Sequence, residues 1–259
     1  PIISATGTKC TVIPTAVLST HTGGFTGYTY RDLTDDILPI TEHWKTLGLG
    51  FDAVYTGFLG SFKQIEIVGR IFDDVRKDGT MVIVDPVMAD DGKLYPVFDD
   101  SFPEGMRDLC SKADVITPNI TEACLLTGIP YERAPYTEEW IHELLLALAD
   151  IGPRTIILTG VRFDDRSLGA ASYDSKTGGT TYHFHDIYPG FYHGTGDVFG
   201  SVVTAALVKG LSAADSIGLA VDFTCASIER TMASGEPIRN GVDFEEGIPD
   251  LIRAMEALK

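Results

Sequence analysis

Basic residues are scarce in this sequence. Lysine and arginine total 20 against 37 aspartates and glutamates, a formal net charge of -17. A surface of that sign repels nucleic acid and anionic lipid, so neither is an expected partner. An acidic chain that handles an anion must do so in a local pocket of backbone amides and helix ends. Cysteine is sparse too. Cys10, Cys110, Cys124 and Cys225 are scattered, with no C-x-x-C pair and no cluster at metal-ligand spacing, and read as reduced thiols. No run approaches eighteen apolar residues, and no basic segment followed by a short apolar stretch opens the chain. Neither a membrane span nor a signal peptide is expected, and the cytoplasm is the expected compartment. Internal repeats, low-complexity tracts and long Pro/Gly/Ser linkers are also lacking. An opening methionine is missing as well. Pro1-Ile2-Ile3-Ser4-Ala5 reads as the tail of a helix leading into a strand, and the expectation is that something upstream is absent.

What remains is the composition of a folded α/β protein. With 259 residues, 44% hydrophobic and 22% charged, the chain suits one sizeable domain. Apolar, β-branched runs at 10–14, 53–56, 81–85, 115–117 and 155–159 are nearly continuous, as in strands buried on both faces. Segments 65–77, 138–150 and 198–209 repeat apolar residues every three or four positions and predict covering helices. The alternation predicts a three-layer α/β/α fold with a mostly parallel central sheet. Residues 169–173 and 181–185, around the turn 175–179, predict an antiparallel hairpin at one sheet edge. Segment 23–40 is the least regular, and reads as a flap over a site or as a surface excursion.

In parallel sheets ligands bind beyond the carboxyl ends of the strands, and this chain's polar motifs gather there. Thr56-Gly57-Phe58, Asp85-Pro86-Val87, Thr117-Pro118-Asn119, Thr159-Gly160 and Gly194-Thr195-Gly196-Asp197 each follow a predicted strand or precede a predicted helix. The glycines of the last motif let the backbone turn and present amides at a helix start, an anion site that suits a moving phosphoryl group. Asp197 at its rim can take the proton of an attacking alcohol, or can serve only as a helix N-cap. Asp85 and Asp90 occupy a loop with no lysine or arginine before Lys93, which suits a Mg²⁺ held through water against phosphates, or a turn closed by Asp85. Asn119 and Glu122 lie three apart on one helical face, either aimed at the cavity or paired as a capping box.

In order and spacing these motifs resemble those of the vitamin kinases of the ribokinase superfamily, the pyridoxal kinases in particular, across nearly the whole chain. The resemblance implies a single ribokinase-like domain over 1–259 without its first strand, and ATP-dependent phosphorylation of the 5′-hydroxymethyl of pyridoxal, pyridoxine or pyridoxamine. It implies Asp197 as base, the amides of Gly194, Thr195 and Gly196 as anion hole, and Asp85 and Glu122 as organisers of Mg²⁺. Asp90, Asn119, Thr159 and Gly160 fall at the family's nucleotide positions. On the substrate side Thr22, in His21-Thr22-Gly23-Gly24, matches a residue that meets the pyridine ring. Phe58 matches an aromatic that packs on that ring, or is core, and His193 matches a pocket-lining position. A homodimer and stimulation by a monovalent cation such as K⁺ are implied as well. Hydroxymethylpyrimidine kinases share the fold but commonly have cysteine where Asp197 stands. Sugar kinases carry an early G-G-x-x-x-N-x-A motif that this chain lacks. A non-catalytic binding protein would need neither the base nor the metal organisers.

Overall fold

The apolar runs pair into one sheet with helices on both faces. The computed structural model describes residues 1–21, 25–77, 79–235 and 237–258. The chain opens with α1 (Ile2–Ala5), an antiparallel ribbon of β1 (Ala16–Leu18) and β2 (Tyr30–Asp32), and α2 (Thr34–Thr46). Then come β3 (Ala53–Thr56), α3 (Phe62–Val75), β4 (Met81–Val84), the small pair β5 (Ala89–Asp90) and β6 (Lys93–Leu94), and α4 (Phe102–Ser111). They are followed by β7 (Val115–Ile116), α5 (Ile120–Thr127), α6 (Glu138–Ala149), β8 (Thr155–Val161), β9 (Ser167–Asp174) and β10 (Gly179–Asp186). The chain ends with α7 (Thr195–Val208), α8 (Ala213–Ser234) and α9 (Ile248–Ala257). Among the described residues the central sheet has six strands in the order β10-β9-β8-β7-β4-β3. The four from β3 to β8 run parallel, and β9 and β10 add the expected antiparallel hairpin at one edge.

Strand alternation divides the core in two, because successive side chains point to opposite faces. Val82 and Val84 of β4, with Ile156 and Leu158 of β8, pack against Phe72 of α3, Met106 of α4, Leu126 of α5 and Leu144 of α6. Ile83 and Ile157 point the other way, onto Val202 of α7, Ile217 of α8 and Leu251 of α9. Apolar surface on both faces drives burial on both, at roughly 25 cal/mol per Å². No helix among the described residues is long and apolar enough to cross a membrane.

Two expectations fail near the start. The run 10–14 forms no strand: Val12 is 72% exposed and the sheet ends at β3. Its β-branched residues meet no neighbouring backbone, and Pro14 has no N–H to donate. Segment 23–40, of which 25–40 are described, is more regular there than expected, since β2 and the first turns of α2 fall within it. Ile37 of α2 is buried against Ile67 and Ile71 of α3, which anchors that part to the body.

Candidate active site

The parallel strands deliver their last residues to one cleft of about 530 Å³. Asp85 follows β4, Thr117 and Asn119 follow β7, Thr159 and Gly160 end β8, and Gly194 through Asp197 open α7; all of them line the cleft. Asp90, Glu122 and His193 line it too. Phe58 does not; its ring lies 5.7 Å from that of Phe98, in a file of aromatics that continues to Phe102. Thr22 lies outside the described residues.

At the start of α7 the N-cap is Gly194, held at φ 79°, a left-handed conformation that glycine adopts without strain. No side chain caps this end. The first-turn amides of Thr195, Gly196 and Asp197 have no partner earlier in the helix, so they and the helix dipole present positive potential to the cleft. Asp197 occupies the third helical position, which removes the N-cap reading. Among the described residues none donates a hydrogen bond to its carboxylate. It sits open to solvent at the rim, yet the walls around it strip enough water to raise its pKa.

The start of α5 is built differently. Asn119 Oδ1 accepts from the Glu122 amide at 2.9 Å, and Glu122 Oε2 accepts from the Asn119 amide at 2.9 Å, a complete capping box. Glu122 Oε1 also accepts from the Met88 amide at 3.0 Å, and Asn119 Nδ2 donates to the Ala89 carbonyl at 2.8 Å. The pair therefore fixes the 85–90 loop while facing the cleft, so the capping and cavity readings both apply. Glu122 is buried; burial and then the nearby charge of Asp85 push its pKa well above the usual carboxylate range. Burial and then Asp197 do the same to Asp85. Burial raises Asp90 as well.

Among the described residues the lining contains five carboxylates, Asp85, Asp90, Glu122, Asp186 and Asp197, and no lysine or arginine. A polyphosphate could share such a lining only with a cation between. Oxygen donors of this kind suit Mg²⁺, which keeps much of its water and is bound chiefly through substrate phosphates. Among the described residues no three or more His, Cys, Asp or Glu side chains are grouped to hold a metal ion.

On the other flank the His193 ring lies 4.5 Å from that of His21, tilted by 35°, and His21 Nε2 is 2.6 Å from the Arg239 carbonyl. Burial and then His21 lower the His193 pKa, so its ring is neutral at neutral pH. The sequence reading passed over Tyr55, Tyr95, Asp186 and Tyr188. Only Tyr55 had a usable signal: in a strand whose Val54 and Thr56 share one face, it must occupy the other.

The family model described as phosphomethylpyrimidine kinase matches residues 2–241. The pyridoxine kinase of Bacillus subtilis is 30% identical over 190 residues, 72% of this chain and 67% of that protein. The hydroxymethylpyrimidine/phosphomethylpyrimidine kinase of the same organism is 29% identical over 224 residues, 85% and 79% of the two chains. A provisionally named phosphomethylpyrimidine kinase from Bacteroides thetaiotaomicron, crystallised with pyridoxal, superimposes with a TM-score of 0.91 at 38% identity, covering 97% of this chain and 88% of that one. With the strand order and the cleft, these likenesses identify a ribokinase-like vitamin-kinase fold, and the chain belongs to the phosphomethylpyrimidine kinase family.

Proposed function

We propose that the protein transfers the γ-phosphoryl group of ATP to the 5′-hydroxymethyl of pyridoxal, with pyridoxine and pyridoxamine as further acceptors. The observation that carries this reading is Asp197, a carboxylate not used for capping, beside the exposed amides of a helix start and facing the cleft that holds Asp85. In this reading Asp197 takes the proton of the acceptor hydroxyl as its oxygen meets phosphorus. The amides of Gly194, Thr195 and Gly196 hold the charge on the transferred group. Asp85 and Glu122 hold Mg²⁺ through its water, and the cation neutralises phosphate charge when bound. Asp90, Asn119, Thr159 and Gly160 border the nucleotide. His193, Phe58 and Thr22 serve the acceptor ring, although Phe58 can do so only from outside the cleft described above. By the same resemblance residues 1–259 are proposed to form one catalytic domain that pairs into a homodimer stimulated by K⁺; the cytoplasm is proposed as its compartment.

Pyridoxal is favoured by its presence in the Bacteroides relative and by aspartate, not cysteine, at 197. The second reading, hydroxymethylpyrimidine as acceptor, draws support from the longer match to the Bacillus hydroxymethylpyrimidine kinase. ADP release measured side by side with pyridoxal, hydroxymethylpyrimidine and ribose separates them. Turnover is expected to be fastest with pyridoxal; preference for the pyrimidine would establish the second reading, and preference for ribose would sink both.

A further inference from the structure

Tyr55 lies outside the lining of the cleft but touches two of the elements that build it. In β3, Val54 packs with the α3–α6 core and Tyr55 with the α7–α9 core. The Tyr55 hydroxyl donates to Asp85 Oδ2 at 3.3 Å. The same oxygen rests on α7 at Gly200, where any Cβ would collide with it. Glycine inside a helix costs stability relative to alanine, so Gly200 marks a close approach that the helix accommodates at its own expense. Burial, then the charges of Asp85 and Asp197, raise the pKa of Tyr55, which keeps it a proton donor across the neutral range.

Packing alone would be satisfied by phenylalanine; the hydroxyl is additional. Sheet pairing fixes the backbone of Asp85, through its amide to the Thr56 carbonyl at 3.1 Å, whereas the direction of its carboxylate is set by side chains, the Tyr55 hydroxyl and that of Thr117 beside it. Resting on the phosphoryl-transfer reading above, we propose that Tyr55 is a positioning residue: it holds the Asp85 carboxylate against α7 and so sets its distance from Asp197. The metal-organising carboxylate and the base sit on different elements, and Tyr55 bonds the first while resting on the helix that carries the second.

Tyr55→Phe removes the oxygen and keeps the ring. The Mg²⁺ concentration that half-maximally strengthens ADP binding, read by titration calorimetry, is expected to rise about tenfold, the scale of one hydrogen bond to a charged group. ADP affinity without Mg²⁺, the melting temperature and the KM for the vitamin should stay those of the parent, while kcat falls. Gly200→Ala drives a methyl into the hydroxyl and should produce the same Mg²⁺ defect, with a smaller further loss when added to Tyr55→Phe. An unchanged Mg²⁺ requirement in Tyr55→Phe overturns the proposal, and so does strict additivity of the two substitutions or a parent that binds ADP no better with Mg²⁺. If the parent binds Mg²⁺ and ADP together yet phosphorylates no vitamin, the proposed function fails while the Mg²⁺ comparison still decides the role of Tyr55.

Discussion

Asp197 is distinguished from Asp85, Asp90 and Glu122 by what its side chain leaves undone. Glu122 spends both oxygens on backbone amides and Asp85 receives the Tyr55 hydroxyl, whereas no described residue donates to Asp197. Shielding by the cleft walls raises its pKa, which strengthens it as a base. Asp197→Asn preserves size and removes basicity. In the ADP-release assay its kcat is expected to fall by roughly 10² to 10⁴, the usual contribution of a positioned base. Calorimetric binding of ATP should persist, because the amides at the start of α7 are unaltered. Normal turnover by this variant would remove Asp197 from the mechanism.

Among the elements, the start of α5 connects folding to the site most directly. Asn119 caps the helix and ties it to the Ala89 carbonyl, so Asn119→Ala removes the cap and leaves that carbonyl short of a donor. A loss of about 1–2 kcal/mol in urea-unfolding free energy is expected. Nucleotide KM should rise as the 85–90 loop loosens, and a variant as stable as the parent would show that the cap is dispensable. This element was half legible in the sequence: the spacing of Asn119 and Glu122 showed both roles but could not rank them, since a capping box and a cavity-facing pair have the same spacing. Strands β3, β4, β7 and β8 were legible because burial on both faces writes a continuous apolar run. The run at 10–14 carries the same local signal without the partner strand, and pairing is a property of two segments, which one segment cannot display. The N-cap of α7 could not be decided locally for a related reason. Aspartate is a common cap, and only the left-handed turn at Gly194 shows that the helix begins three residues earlier.

At the scale of the whole molecule, the charge gathered in the cleft sets how stability responds to pH. Asp85, Asp90, Glu122 and Asp197 all have pKa values raised chiefly by burial. A carboxylate whose folded pKa exceeds its unfolded value binds its proton more tightly in the folded state. Its stabilising contribution is complete below the unfolded pKa and is lost as pH rises through the folded one. Asp32, Asp99, Asp164 and Asp174 are lowered instead, so their contribution is lost as pH falls through their folded values. Asp32, Asp99 and Asp164 are exposed and screened, Asp174 is half-buried, and all four titrate below the ordinary carboxylate range. The two groups therefore act in separate windows; between the ordinary carboxylate range and neutrality the four raised cleft carboxylates respond, outnumbering His193, whose lowered pKa adds stability as pH rises. Self-repulsion at a net charge of -17 adds in the same direction as pH climbs. The ligand-free protein should accordingly be most stable near about pH 5 and lose stability toward about pH 8. Asp85→Asn, which removes one buried charge and relieves Glu122, should flatten that decline. Urea unfolding at constant ionic strength across this range measures both curves. A parent that instead gains stability up to pH 8, or an Asp85→Asn curve parallel to it, would show that the cleft carboxylates are not held under mutual strain.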